Sequence, residues 1–334
     1  MRLTYEILGG TVLFAIPLML VALGGMFSER SGIVNIALEG IMVIGALTAC
    51  LILNEFNVPK SWALNLAPGW AQAHPQTAVF IAILAAGAVG ALFSVLLAFA
   101  SVNLRADQTI GGTALNMLAP ALAIVLTWRI QGQGMTTILI PKWVRITAFS
   151  TGEPGFIQTV FFKNLLLTTP IALLLLIVSF VVLYYTRFGL RLRACGEHPQ
   201  AADSVGINVY RMRYAGVLIS GFLGGIGGFA YTAAAGAGFQ STVAGYGFLA
   251  LAVMIFGNWN PIRIFGAALF FALFKVIPSY ITMIPFLPNM SHLRNVTYLY
   301  QMLPYLVTMI VLILTSKSSR APKAEGIPYD KGGR

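Results

Sequence analysis

Two groups of polar residues stand inside long apolar stretches of the sequence, where they could bind a solute. Ser31, Asn35 and Glu39 follow one another at intervals of four residues, and Gln108 and Asn116 are eight residues apart. Each spacing predicts a polar stripe along one face of a helix. Because a polar group within lipid is costly, each stripe is a functional candidate. Carboxylate and amide groups could bind the hydroxyls of a neutral solute or the edge of a base, and the alternative is a hydrogen-bonded clamp between helices.

A third candidate is the glycine-rich stretch 236–247, which carries Phe239, Gln240 and Tyr246 beside four glycines. Where glycines interrupt a membrane helix, unwound backbone and aromatic rings can meet a ligand within the membrane. The two rings could stack on a base. The alternative is an ordinary turn outside the membrane.

The sequence holds no arrangement of residues typical of an enzyme or a metalloprotein. His74, His198 and His292 are isolated in predicted loops, and neither a GxSxG nor a GxxxxGK[ST] motif occurs. We therefore expect no catalytic residue, no metal site and no cofactor on this chain.

The elements that must carry the polar residues are membrane helices. Only 9% of the 334 residues are charged and 58% are apolar, whereas soluble domains carry about 25% charged residues. This composition excludes a soluble protein and predicts an all-α polytopic membrane protein. About nine spans are predicted, within a range of eight to ten, at about 5–27, 33–54, 77–100, 110–128, 164–186, 213–236, 245–257, 264–282 and 298–315. One or two of them are predicted to be broken or re-entrant, namely 110–128, which contains Pro120, and the short segment 245–257.

The distribution of basic residues predicts the orientation of these spans. Thirteen of the 21 Lys and Arg residues fall on one side, and basic residues mark the cytoplasmic side of a membrane protein. The N-terminus is then outside and the C-terminus cytoplasmic, and the net charge of +11 forms no nucleic-acid-binding patch. We expect residues 1–315 to form a single transmembrane domain and the basic tail 316–334 to be disordered in the cytoplasm.

Glycines cluster within the predicted span 213–236. Gly221, Gly224, Gly225 and Gly228 share one helical face, which allows another helix to approach closely. This pattern favours helix packing over a dinucleotide-binding loop.

The long inside loop 187–212 contains a predicted short helix. Pro199 suits the first position of a helix, and Gly206 suits the position just after its end. Arginines on both sides would hold this helix rigidly at the cytoplasmic face.

Three stretches resemble the permease subunits of bacterial ATP-binding-cassette (ABC) importers, in the group that carries simple sugars, branched-chain amino acids and nucleosides. They are residues 29–42, 194–209 and 257–261. The first stretch, with Asn35 and Glu39 in place, is most similar to the purine-nucleoside branch.

This resemblance implies that the short helix of the inside loop is the coupling helix, which sits in a groove of the ATPase subunit. The residues to which it assigns this role are Gly196, Glu197, Ala201, Ala202, Asp203 and Gly206. It also implies a second related permease, an ABC ATPase with two nucleotide-binding halves that binds ATP and magnesium, and an external solute-binding protein. The complex would lie in the bacterial cytoplasmic (inner) membrane.

Nucleosides are the favoured solute, and two alternatives stay open. One is a simple-sugar or branched-chain amino acid permease of the same group. The other is a secondary transporter driven by protons through Glu39.

Overall fold

The computed structural model describes residues 2–57, 70–146, 156, 158–162, 165–283, 302–315 and 320–331. The α-helices in these ranges are α1 Arg2–Arg30, α2 Leu38–Asn57, α3 Trp70–Ala73, α4 Pro75–Ala98, α5 Gln108–Gln131, α6 Thr168–Tyr185, α7 Arg187–Glu197, α8 Pro199–Ser204, α9 Val209–Ala235, α10 Tyr246–Phe256, α11 Pro261–Val276 and α12 Leu303–Thr315. A π-helical turn, Phe99–Asn103, continues α4, and a 3₁₀ turn, Ile277–Met283, continues α11. Within these ranges, β structure is limited to two isolated bridges.

Seven helices are long and apolar enough to cross a membrane: α1, α2, α4, α5, α6, α9 and α11, with α4 and α11 extended by their turns. The chain is therefore an all-helical polytopic membrane protein, as predicted. Helix α10 has 11 residues and α12 has 13 in the described ranges, both short of the roughly 20 that a full span needs. Nine spans and their orientation remain predictions.

Ser31 and Asn35 do not lie on a helix with Glu39, so the predicted stripe is wrong. Both residues belong to the irregular segment 31–37 between α1 and α2. Gly32 has a φ of +96°, which lies in the left-handed region and ends the helical path. Within this segment, the N–H groups of residues 31–33 donate to carbonyls of α1, whereas the backbone of Val34 and Ile36 bonds to side chains of α5.

Helix α5 is continuous, so the prediction that the segment 110–128 is broken or re-entrant is wrong. Pro120 lies inside the helix, between the buried residues Ala119 and Ala123. A proline removes one intrahelical hydrogen bond, but a membrane helix tolerates this loss where neighbouring helices pack against it. At its start, α5 is capped by Asp107, whose carboxylate accepts two backbone N–H groups of the first turn.

Helix α9 packs through its glycines, as predicted. A Cβ at Gly225 would overlap the carbonyl of Ala86 in α4, and one at Gly228 would overlap the carbonyl of Met42 in α2. A Cβ at Gly221 would lie 2.6 Å from another backbone carbonyl of α4. We call Gly221, Gly225 and Gly228 the glycine seam. It brings the backbones of α2, α4 and α9 into direct contact at the core of the bundle.

One end of the bundle is formed by α7, α8, the tail and three short connections between membrane helices. We call it the basal face and define it as residues 31–33, 104–107, 186–208, 257–260 and 320–331. Helix α8 is the short helix predicted in the inside loop. The structure adds α7 directly before it, as an amphipathic helix that the sequence analysis did not predict.

The prediction of a disordered tail is wrong for residues 320–331, which pack against the basal face. The backbone N–H of Ala324 donates to the carbonyl of Gly196 at 2.8 Å, and Ala324 is buried. Residues 316–319 and 332–334 lie outside the described residues.

Candidate functional site

The candidate site is built where α10 begins beside α2. The N-cap residue of α10 is Gly245, in the left-handed region with a φ of +77° and without a side chain to cap the helix. Glu39 supplies the acceptors instead. Its Oε1 accepts the N–H of Gly245 at 2.8 Å, and its Oε2 accepts the N–H of Gly247 at 2.6 Å. Because a carboxylate also interacts favourably with the positive end of a helix, Glu39 clamps α2 to α10 in this conformation.

The polar stripe of α5 exists as its spacing predicts, and it faces the segment that leads into α2. Oε1 of Gln108 accepts the N–H of Val34 at 2.7 Å. Oδ1 of Asn116 accepts the N–H of Gly40 at 2.7 Å, while its Nδ2 donates to the carbonyl of Ile36 at 2.8 Å. Non-helical backbone at membrane depth requires such partners. The stripe therefore satisfies three backbone groups around the start of α2.

Two buried amide groups in this region keep an atom free among the described residues. Nδ2 of Asn35 donates to Oγ of Ser220 at 2.8 Å, whereas its Oδ1 has no hydrogen-bond partner in the described part of the chain. The Nε2 of Gln108 also has no hydrogen-bond partner in the described ranges. Buried polar atoms are normally satisfied by protein or water, so these two atoms favour a site that water or a solute completes.

We call this region the central junction and define it as residues 34–40, Gln108, Asn116, Ser220 and 245–247. Helix α10 runs from it to the basal face over 11 residues, a length of about 16 Å at 1.5 Å per residue. Ser220 is 11 residues beyond the start of α9, which gives a similar depth. Since the hydrocarbon core is about 30 Å thick, the junction reaches about halfway through the bundle at Ser220 and at the start of α10, and it begins next to the basal face at Gln108, the first residue of α5.

The rings of Phe239 and Tyr246 are inside the protein. They are 0% and 1% exposed, so neither offers a free face to a base in this conformation. Phe239 pairs through its backbone with Ile138, in the loop after α5. Gln240 beside it is exposed. Of the three predicted residues of this loop, only Tyr246 belongs to the central junction.

The sequence analysis missed two tyrosines next to the junction. The hydroxyl of Tyr305, in α12, donates to the carbonyl of Ala244 at 3.2 Å, and this side chain is about half exposed. Tyr231, in α9, is partly exposed and places its ring centre 4.3 Å from that of Tyr246. Both tyrosines stand in apolar runs without a motif, so no signal in the sequence marked them.

Of the six residues predicted to contact an ATPase, some are at the surface and some are buried. Four reach the surface of the basal face: Glu197, Ala201, Asp203 and Gly206. Gly196 and Ala202 are buried. A Cβ at Gly196 would overlap the carbonyl of Arg30, so this glycine permits α7 to approach the end of α1. The two buried residues support α8 and leave the surface to the other four.

Metal-binding side chains do not cluster in the described residues. No group of three or more His, Cys, Asp and Glu side chains lies together there. Cys50 and Cys195 are both free and buried. Burial raises the pKa of the Cys195 thiol to about 11, so this thiol is protonated at neutral pH.

The family model described as the permease component of branched-chain amino acid transport systems matches residues 7–312. The chain belongs to this family. It is therefore a transport permease component, and with its apolar helices it is a multi-pass protein of the cytoplasmic membrane.

Several named permeases are similar to this chain. The guanosine ABC transporter permease protein NupQ of Bacillus subtilis is 41% identical over 332 residues, which cover 98% of this chain and 97% of NupQ. The nucleoside ABC transporter permease protein NupC of Lactococcus lactis is 42% identical over 328 residues, 97% of this chain and 96% of NupC. The putative glucose ABC transporter permease protein TsgC13 of Haloferax volcanii is 28% identical, over 81% of this chain and 76% of its own length. No solved structure matches the chain.

Proposed function

We propose that this chain is the transmembrane permease subunit of an ATP-driven importer that carries nucleosides by alternating access. Its partners are a second related permease, an ABC ATPase with two nucleotide-binding halves, and an external solute-binding protein. ATP and magnesium bind to the ATPase, and this chain catalyses no reaction. The basal face is cytoplasmic, and the N-terminus is outside.

The charge of the central junction is the observation that carries the choice of solute. Among the described junction residues, Glu39 is the single charged side chain, and both of its oxygens accept backbone N–H groups. The other polar side chains are the amides of Asn35, Gln108 and Asn116 and the hydroxyls of Ser220 and Tyr246. Amides and hydroxyls match the ribose hydroxyls and base nitrogens of a nucleoside. A free amino acid would bring its carboxylate beside that of Glu39, while the Lys275 ammonium lies over the ring of Tyr246, 5.4 Å from its centre.

Aromatic surface for the base comes from Tyr305 and Tyr231 in this proposal. Phe239 and Tyr246 are enclosed, whereas Tyr305 keeps about half of its surface exposed beside the start of α10. Tyrosine rings stack on flat partners and also supply a polar hydroxyl. The names of NupQ and NupC, which identify them as guanosine and nucleoside permeases, support the same class of solute.

Coupling to the ATPase is assigned to the exposed residues around α8. Glu197, Ala201, Asp203 and Gly206 present one small and partly acidic surface on the basal face. A short helix fixed at both ends transmits a push from a partner to the helices that follow it. In this chain the following helix is α9, which carries the glycine seam.

The first experiment measures transport by the complete transporter, purified from its own host through a tag on this chain and reconstituted into vesicles with the binding protein. Uptake of labelled guanosine should require ATP on the side of the ATPase, persist with a protonophore, and be competed by unlabelled nucleosides. ATP-dependent uptake of labelled leucine or of a labelled simple sugar, without uptake of guanosine, would assign one of the other solute classes. Uptake that ignores ATP and follows the proton gradient would overturn the importer proposal.

A second experiment tests the base contact. Tyr305→Ala should raise the KM for guanosine uptake at least fivefold, because stacking on one aromatic ring contributes about 1–3 kcal/mol per base. Tyr305→Phe keeps the ring and should stay within twofold of the wild-type KM. Equal KM values for the Ala variant and the wild type would remove Tyr305 from the site.

A further inference from the structure

Tyr329 inserts the tail into a small apolar cluster beneath α8. This basal cluster consists of Cys195, Ala202, Val209 and Tyr329. Its members come from four different elements, namely α7, α8, α9 and the tail. Tyr329 is 5% exposed and is the largest of the four side chains. The packing of α8 therefore depends on a residue supplied by the tail.

The ring and the hydroxyl of Tyr329 make separate contacts with this region. The ring centre lies 5.5 Å from that of Tyr210, in an edge-to-face arrangement. The guanidinium of Arg213 lies 5.9 Å from the centre of the same ring, within the range of a cation–π contact. The hydroxyl donates a hydrogen bond to the carboxylate of Asp203, which belongs to α8. Tyr329 thus contacts α8 directly and α9 through two residues.

The tail also reaches the ends of two membrane helices. The N–H of Gly326 donates to the carbonyl of Gly32, just after α1, at 3.3 Å. Asp330 forms an ion pair with Arg105, just before α5, at 2.9 Å. The tail also bonds to Gly196, at the end of α7. It therefore connects the coupling region to the ends of α1 and α5.

We infer that Tyr329 is a positioning residue of the coupling helix, and that the tail segment 320–331 links α8 to the membrane helices. The inference rests on the proposed function, since it gives the tail a part in transmitting ATPase movement to the transport path. With Tyr329 in place, a push on α8 moves α8 together with α9 and the ends of α1 and α5. Without it, α8 loses its apolar support and the hydrogen bond to Asp203, so it shifts without moving the membrane helices.

The test compares the number of ATP molecules hydrolysed per nucleoside imported, in vesicles that contain the complete transporter. Tyr329→Ala should raise this ratio at least threefold, while the ATPase still copurifies with the permease. Tyr329→Phe keeps the ring and loses only the hydrogen bond, so it should raise the ratio by less, about twofold. The matched control is Ile327→Ala, which alters an exposed side chain of the same segment and should leave the ratio unchanged.

The outcomes separate this inference from the proposed function. A wild-type complex without ATP-dependent nucleoside uptake would overturn the proposed function. A wild-type complex that transports, together with an assembled Tyr329→Ala complex of unchanged ratio, would overturn the inference alone. If the Ala complex does not assemble, the Phe variant decides, and a ratio equal to that of the wild type would overturn the inference.

Discussion

Replacing Glu39 with glutamine tests whether this carboxylate is chiefly a clamp between two helices. In Glu39→Gln, the side-chain amide keeps one oxygen for one of the two N–H groups of α10 and turns an NH₂ group toward the other. One charge-assisted hydrogen bond is lost, about 1.5–3 kcal/mol, along with the attraction of a carboxylate to a helix N-terminus, about 0.3–1 kcal/mol. A neutral amide is easier to bury than a carboxylate, which offsets part of this loss. We expect the substitution to lower the free energy of unfolding by about 1–3 kcal/mol.

The assay is thermal unfolding of the purified protein in detergent, followed by intrinsic fluorescence. A loss of this size corresponds to a fall of about 2–6 °C in the apparent Tm. The control on the same helix is Thr48→Val. Because the hydroxyl of Thr48 donates to the carbonyl of Ile44 within α2, its loss breaks no contact between helices and should change the Tm by less than about 1 °C.

Uptake measured on the same variant supplies the refuting result. A Glu39→Gln protein that melts with the wild type but transports nothing would refute the clamp, because the carboxylate would then be needed for transport and not for stability. If, in addition, uptake by the wild type followed the proton gradient, Glu39 would carry protons. A variant that melts early and still transports at a reduced rate agrees with the clamp.

Three further predictions address the packing, the polar stripe and the tail. Gly225→Ala places a Cβ on the backbone of α4 and should abolish the monodisperse peak in size-exclusion chromatography, whereas Gly266→Ala meets no described heavy atom within 4 Å and should preserve it. Asn116→Leu leaves two backbone groups unpaired and should cost about 2–4 kcal/mol in thermal unfolding, whereas Thr113→Val removes a hydroxyl bonded within α5 and should cost less than about 0.5 kcal/mol. Limited proteolysis of the tail should be faster at about pH 7.5 than at about pH 5, and Glu325→Gln should remove this difference.

The sign of the pH effect follows from the surroundings of Glu325. Burial raises the pKa of its carboxyl from 4.5 to about 7, and the carboxyl is hydrogen-bonded to Glu29 and faces Arg30. The docked tail therefore keeps a proton that the released tail loses above about pH 4.5. Docking is strongest below that pH and weakens by at most tenfold per pH unit up to about pH 7, beyond which it is constant. Because Glu325 is partly exposed, solvent screening reduces the size of the effect.

Each of these predictions has an outcome that contradicts it. A monodisperse Gly225→Ala protein with the yield of the wild type would show that the seam has room for a methyl group. An Asn116→Leu protein as stable as its Thr113 control would show that water replaces the lost bonds. Faster proteolysis of the tail at the lower pH would reverse the sign argued for Glu325.

Periodic patterns within one helix could be predicted from the sequence. The α5 stripe and the glycine face of α9 lie where their spacing places them, because both depend only on the geometry of a single helix. The same rule failed for Ser31 and Asn35. Their spacing fits a helix, but the turn at Gly32 ends α1 and the following backbone is held by Gln108 and Asn116. Partners more than 70 positions away leave no local signal.

The composition of the tail likewise gives no information about its contacts with distant residues. Its basic residues predict disorder, and three of them, Arg320, Lys323 and Lys331, are exposed. What fixes the segment is one aromatic ring, Tyr329, together with backbone hydrogen bonds to loops distant in sequence. The predicted substrate rings failed for a related reason. Phe239 is buried by elements distant in sequence, and the residues around it in the sequence do not indicate this burial.

The glycine seam also limits how this protein can move. If α9 shifted by one residue along its neighbours, side chains would replace the glycines at contacts that have room only for a hydrogen atom. We therefore expect α2, α4 and α9 to move as one rigid body. Helix α10 is held to α2 in the same way, because a Cβ at Gly247 would overlap the backbone nitrogen of Glu39. These helices form a fixed spine, and we expect a path through the bundle to open by rotation of the helices outside it.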